Sequence, residues 1–180
     1  MVCVLVTVKG ISRQIGSALV RNTEKKIFAI VLYMFQTTTL KIKKLDPKAK
    51  LPEYANLGDA AMDVYATSVK FAENYVEYGT GLAFELPVGY VMLIFPRSSV
   101  SNKDMMLANS VGVLDSGYRG ELKLRFNIVC EPGKLKRDYY NPGDKIGQIM
   151  ILPYPLITCM EVSELSETQR GAGGFGSSGN

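Results

Sequence analysis

GELKLRFNIV, residues 120–129, alternates without a slip: Leu122, Leu124, Phe126 and Ile128 are apolar, and Lys123, Arg125 and Asn127 between them are polar. Successive side chains of a strand point to opposite faces, so a period of two marks an antiparallel strand with one face buried and one wet. The same pattern extends outward. Leu40 and Ile42 alternate with lysines, and KIGQIMIL (145–152) and TCMEV (158–162) read as two further strands. GLAFEL (81–86) and YVMLIF (90–95) flank Pro87-Val88-Gly89, which predicts a hairpin-like pair. Turn signals recur as PVG, DSGYRG, EPGK and NPGD. No long stretch has helical periodicity, although NKDMMLAN (102–109) suits a short helix. Many short strands with frequent turns predict an all-β barrel or sandwich.

Composition agrees with a single soluble domain. The chain has 180 residues, 47% hydrophobic and 21% charged. Histidine is absent, which excludes a Ser-His-Asp triad, a Cys-His pair and any His-ligated zinc. A general base in this chain must be a carboxylate, lysine, tyrosine or thiolate. Cys3, Cys130 and Cys159 are too widely spaced for a metal motif or a disulfide framework, which suits idle thiols in a reducing compartment. The net charge of +4 is unevenly distributed: residues 1–44 hold 8 Lys/Arg and one acid, leaving 13 Lys/Arg against 16 acids in residues 45–180. The main body is mildly acidic, so nucleic acid is not an expected partner.

Residues 1–39 form a separate basic and apolar extension. Its apolar run, Ile27 to Phe35, is far shorter than the roughly 20 residues that span a bilayer, so no membrane association is expected. Three readings stand: an early-assigned start with Met34 as the natural one, a targeting or family-specific extension, or an ordered structural element. QTTT follows the apolar run without a small-x-small cleavage site, and the cytoplasm is the expected compartment. The β domain is expected over 40–164, followed by a tail over 165–180.

Five segments offer chemical groups. GDAAMDVYA (58–66) sets Asp63 among small residues, as a capped turn or a carboxylate near a metal's water shell. PRSSVSNK (96–103) supplies a guanidinium and hydroxyls, the groups that hold phosphate oxygens, or else a solvated loop. NSVGVLDSGYRGE (109–121) gathers Asp115, Tyr118 and Arg119 around a turn fed by Gly112 and Gly117. Asp115 is either a turn-former accepting backbone hydrogen bonds or a base over a substrate-binding hairpin, with Gly112 allowing close ligand approach. NPGDKIGQI (141–149) offers the amide of Gln148. RGAGGFGSSG (170–179) is rich in glycine amides that can turn inward around phosphate, but it lacks the Gly-Lys-Ser/Thr and helix of a Walker A loop.

In order and spacing, AAMDVYA, PRSS, NSVGVLDSGYRGE, PGDKIGQI and RGAGGFGSSG resemble the five motifs of the trimeric dUTPases, over about residues 40–180. The resemblance implies a jelly-roll-like β-barrel with a flexible Gly-rich C-terminal lid. It implies a homotrimer whose active sites are shared between subunits. It also implies hydrolysis of dUTP to dUMP and pyrophosphate by water attack on the α-phosphorus, with Mg2+ on the triphosphate. Such an activity keeps uracil out of DNA and supplies dUMP for dTMP synthesis.

Residue by residue, Asp115 matches the water-activating carboxylate and Tyr118 the ring that packs under deoxyribose and refuses UTP. Asn109 and the backbone of Gly112, Val113 and Leu114 match the hairpin that reads uracil, and Lys123 lies on the following strand near that site. Arg97, Ser98 and Ser99 match the second motif, which contacts phosphates from a neighbouring subunit, and Gln148 matches the substrate-side glutamine of the fourth motif. Asp63 matches an aspartate that reaches magnesium through water. Arg170, Gly176 and Ser177 match the grip on the γ-phosphate, and Phe175 the aromatic stacked over uracil. Three motifs depart from the pattern: Ala61 and Val64 in the first, Lys145-Ile146-Gly147 in place of Arg-Ile-Ala in the fourth, and Ser178 in the fifth, where threonine is common. Two rivals remain: a dCTP deaminase of the same fold, which lacks the Asp-x-x-Tyr arrangement of Asp115 and Tyr118, and a non-catalytic dUTP-sensing regulator.

Overall fold

The structure, a computed structural model, describes residues 38–129 and 138–174. The chain divides into two units, Met1–Lys41 and Ile42–Asn180; almost all of the first, together with the EPGK turn, Cys3, Cys130 and Phe175, Gly176 and Ser177, lies outside the described residues. The described residues form nine strands, β1 (Lys41–Lys44), β2 (Met62–Tyr65), β3 (Ser68–Phe71), β4 (Tyr75–Glu85), β5 (Tyr90–Phe95), β6 (Met105–Leu107), β7 (Gly112–Leu114), β8 (Glu121–Ile128) and β9 (Lys145–Pro153). They form two sheets, one in the order β1-β4-β8-β6 with β3 also on β4, the other in the order β2-β9-β5-β7. Every pairing among β2 to β9 is antiparallel. The chain changes sheet at nearly every connection. The result is a two-sheet, jelly-roll-like fold.

β8 behaves as its alternation demands. Leu122, Leu124 and Phe126 are buried, while Lys123, Arg125 and Asn127 face outward. Phe126 meets Tyr78 and Tyr140 edge-on, at centroid separations of 5.8 and 6.1 Å, the arrangement aromatic quadrupoles favour. Buried polar groups here are satisfied. The Tyr78 hydroxyl donates to the Tyr140 carbonyl and accepts from the Tyr140 amide, both at 3.1 Å, and burial pushes its pKa up to about 12. Thr80 donates to the Leu122 carbonyl at 2.8 Å.

Three sequence expectations fail on pairing. GLAFEL and YVMLIF do not form a hairpin: β4 pairs with β3 and β8, and β5 pairs with β7 and β9 in the other sheet. Pro87-Val88-Gly89 does turn the chain, with Gly89 at φ +84°, but a turn signal cannot say which sheet the next strand joins. NKDMMLAN is not a helix. Met105 and Leu107 are buried and Met106 is exposed as β6 lies against the edge of β8, so pairing overrides helical propensity. TCMEV is in no strand, and its residues are exposed; its alternation finds no strand partner among the described residues.

One glycine is essential to the packing of the two sheets. A Cβ at Gly147 would lie 2.6 Å from Leu124 Cδ2 and 3.1 Å from the Phe95 carbonyl oxygen. Leu124 is itself buried and has nowhere to retreat. Gly147→Ala is expected to destabilise the fold by about 1–3 kcal/mol through overpacking, read as a lower denaturant midpoint with an unchanged slope.

Candidate active site

β7 leads directly into the turn that carries Asp115. Among the described residues it pairs with β5 only, Leu114 opposite Met92 and Gly112 opposite Ile94, and ends its sheet. One row of its peptide groups therefore meets no strand neighbour. Gly112 has a packing reason besides the ligand approach expected from sequence: a Cβ there would lie 3.0 Å from Ile94 Cβ. Before it, Ser110 adopts φ 59°, a left-handed conformation unusual for a residue with a side chain, and reverses the chain between Asn109 and β7.

The turn after β7 is held by groups other than the Asp115 side chain. The Tyr118 amide donates to the Asp115 backbone carbonyl at 3.1 Å. Arg119 Nη1 donates to the carbonyls of Ser116 and Tyr118, at 2.6 and 2.9 Å, so Arg119 clamps the turn. The Asp115 carboxylate is exposed and has no hydrogen bond or ion pair among the described residues. Of the two sequence readings for Asp115, the side-chain turn-former is the one the geometry disfavours. The Tyr118 hydroxyl donates to the Glu121 carbonyl at 3.2 Å, which lays the hydroxyl end of its ring across Gly120; a Cβ at 120 would clash with that hydroxyl and the ring carbon that bears it. Gly120 was not singled out from sequence, although it lies only two residues after Tyr118.

A cavity of about 510 Å³ opens at this turn. It gathers Asn109, Gly112, Val113, Leu114, Asp115, Tyr118 and Lys123 from among the expected residues. It also includes Glu77, which sequence reasoning missed because YVEYG reads as ordinary alternation. Glu77 lies opposite Arg125 across β4 and β8. It accepts from Arg125 Nε at 2.7 Å and from Lys123 Nζ at 3.3 Å. The Arg125 hydrogen bond, aided by Lys123, holds the Glu77 carboxyl below the usual range despite its burial. Lys123 is thereby committed to carboxylates, with Glu121 Oε2 at 3.7 Å as a second partner.

The remaining expected residues lie elsewhere on the chain. Asp63 on β2 is opposite Gln148 on β9, and Tyr65 is opposite Lys145. That register skips Ile146, a β-bulge. Strand alternation alone would send residues 145 and 148 to opposite faces; the extra residue brings both to the face of Asp63 and drives Ile146 into the core. Arg97 arrives from the end of β5, with the Gln148 side-chain amide donating to the Pro96 carbonyl at 3.2 Å. Asp63 makes two ion pairs, Oδ1 with Arg97 Nε at 2.9 Å and Oδ2 with Lys145 Nζ at 2.8 Å. The Asp63 hydrogen bond raises the Lys145 ammonium above the ordinary lysine range. Ser98 opens a short 3-10 turn, Ser98–Asn102, and Ser99 Oγ lies 3.2 Å from the Tyr140 hydroxyl. None of these residues lines the Asp115 cavity. Arg170 stands on the exposed tail, donating from Nε to the Gly173 carbonyl at 3.0 Å.

Among the described residues, no group of three or more Asp, Glu, Cys or His side chains is placed to cage a metal. No helix among them is long and apolar enough to cross a membrane.

Comparison with known proteins gives a consistent result. Residues 47–179 match the family model described as dUTPase. A deoxyuridine 5'-triphosphate nucleotidohydrolase of Thermobifida fusca is 39% identical over 170 residues, covering 92% of this chain and 88% of the relative. Among solved structures, a mutant dUTPase of Staphylococcus bacteriophage 80alpha with dUpNHpp is similar, with a TM-score of 0.69 and 28% identity over 80% of this chain and all of that one, 100%. A mutant dUTPase from phage phi11 of S. aureus, described with a coordinated structural Mg(II) ion, has a TM-score of 0.60 and 26% identity, covering 72% of this chain and 100% of that one.

Proposed function

The chain belongs to the dUTPase family and is a dUTP diphosphatase, and from that premise we propose that Asp115 is the base that activates water for attack on the α-phosphorus of dUTP. The observation that carries this reading is the Asp115 carboxylate itself, exposed at a cavity and engaged by no described side chain or amide. With no histidine in the chain, a carboxylate with accessible lone pairs is the appropriate base. Attack yields dUMP and pyrophosphate. The open edge of β7 offers backbone donors and acceptors to uracil, aided by Asn109. In this reading the cavity wall beside β7 excludes a thymine methyl. Tyr118, laid across Gly120, walls the sugar and excludes a 2′-hydroxyl.

In this reading Mg2+ arrives on the triphosphate, which agrees with the lack of a carboxylate cage among the described residues. Bound there, it would neutralise charge on the phosphate oxygens. Arg97, Ser98, Ser99 and Gln148 bind phosphates, Arg170 with Gly176 and Ser177 closes on the γ-phosphate, and Phe175 covers the base. The product feeds dTMP synthesis while dUTP is kept from DNA, in the cytoplasm.

We further propose a homotrimer with shared sites, built from the domain over 40–164 and closed by a lid over 165–180. What supports it is that the phosphate-type residues lie outside the Asp115 cavity of their own chain. The arm after β9 also leaves Leu156 93%, Met160 81% and Leu165 86% exposed, an apolar surface that a neighbouring subunit would cover. The alternation of TCMEV then has a partner in another chain.

The substrate assay tests the function. With magnesium, pyrophosphate release from dUTP is expected to exceed that from dTTP, dCTP or UTP by at least about a hundredfold. Equal turnover of dTTP would remove the uracil pocket, and ammonia from dCTP would support the deaminase instead.

A further inference from the structure

We propose that Lys145 is a second cation for the triphosphate beside Arg97, and that Asp63 is the carboxylate that positions both rather than a contact to magnesium's water shell. The proposal rests on the dUTPase reading above and concerns residues whose roles that reading leaves open.

The argument begins with accessibility. The Asp63 side chain is 10% exposed, whereas those of Arg97 and Lys145 are 34% and 33% exposed. The carboxylate lies beneath and the two cations above it. Each carboxylate oxygen already pairs with one cation, at 2.9 and 2.8 Å. A hydrated magnesium would have to approach past two like charges to reach oxygens that are already engaged. Asp63 therefore does not fit the metal contact expected from its motif.

The cations retain capacity. Arg97 pairs with Asp63 through Nε, and its guanidinium carries five N–H donors in all. Lys145 has three donors and gives one to Asp63. One carboxylate between two cations leaves the cluster at +1, suited to phosphate oxygens. The β-bulge at Ile146 sets Lys145 on the same face as Gln148, and Gln148 in turn is tied to Pro96, the residue before Arg97. Lys145 is also held from the other side, its Nζ lying 5.8 Å from the centre of the Tyr65 ring. Tyr65 is fixed by its hydroxyl's hydrogen bond to Glu53. A flexible lysine and arginine are thus ordered before any ligand arrives, which lowers the entropy lost on binding.

Titration calorimetry with a non-hydrolysable dUTP analogue and with dUMP, each with magnesium and with EDTA, tests both halves. Lys145→Gln is expected to weaken the analogue about tenfold and to leave dUMP within about twofold, with Lys145→Arg restoring the analogue. Asp63→Asn keeps the shape but frees both cations, and is expected to weaken the analogue about tenfold equally with and without magnesium. Wild-type affinity in Lys145→Gln overturns the phosphate contact. A loss in Asp63→Asn that appears only with magnesium overturns the positioning role and returns Asp63 to the metal. Thermal melts identify any Asp63→Asn that fails to fold; Asp63→Glu, which keeps the charge but shifts the oxygens by a methylene, then takes its place under the same criteria. A wild-type chain that binds no analogue would remove the dUTP reading itself, a result distinct from any of these.

Discussion

Asp115→Asn is expected to lower kcat for dUTP about a thousandfold, within the range that a positioned general base contributes. Asparagine keeps the size and polarity of the side chain and loses only its ability to take a proton. The turn should survive the change, because Asp115 enters it through its backbone carbonyl, which accepts from the Tyr118 amide at 3.1 Å. Arg119 clamps the same turn through the Ser116 and Tyr118 carbonyls. Stability should therefore move by no more than about 0.5 kcal/mol, and a dUTP analogue should still bind. The turn-former reading expects the reverse: turnover near wild type with a lower melting temperature. Measuring kcat, analogue affinity and melting on one preparation separates the two.

Deleting residues 168–180 is expected to cut kcat/KM by about a hundredfold or more, the scale on which preorganised charge contacts act on a transferring group. The deletion removes Arg170 and the proposed cover of Phe175, Gly176 and Ser177. It should cost the fold little. Of residues 168–174, only Gly173 is even half-buried, and Arg170 bonds only locally, to the Gly173 carbonyl. The arm with Leu156 and Met160 is retained, so the oligomeric mass should be unchanged by light scattering. A full rate after deletion would make the segment a passive end. A change in mass would instead assign these residues to assembly.

The same glycines that make the tail hard to interpret by composition give it a function in this reading. Each glycine loses more backbone freedom on ordering than any other residue. A segment such as RGAGGFGSSG is ordered at a cost that triphosphate contacts must offset.

What could be read before folding was whatever is encoded locally. The alternation of GELKLRFNIV is a property of ten neighbouring residues, and β8 follows it residue by residue. The requirement for a non-histidine base follows from composition alone. The ordered motifs identify the chemistry because they bring together groups whose spacing along the chain is itself the signal. Glu77 had no such signal, since its importance depends on Arg125 and Lys123, 48 and 46 residues away.

Partnership was decided only in three dimensions. GLAFEL and YVMLIF are strands as read, but each pairs in a different sheet, because periodicity sets which way a side chain faces and is silent on the neighbour. TCMEV carries a strand pattern and finds no strand to join within the described chain. Asp63 reads from sequence as a capped turn or a carboxylate near metal; that the bulge at Ile146 and the end of β5 bring Lys145 and Arg97 to its two oxygens is not legible there. The sequence alone therefore determined the alternating strands such as β8, the exclusion of a histidine base and the family. Tertiary structure decided which charges meet, because ion pairs depend on register, and register here turns on one extra residue.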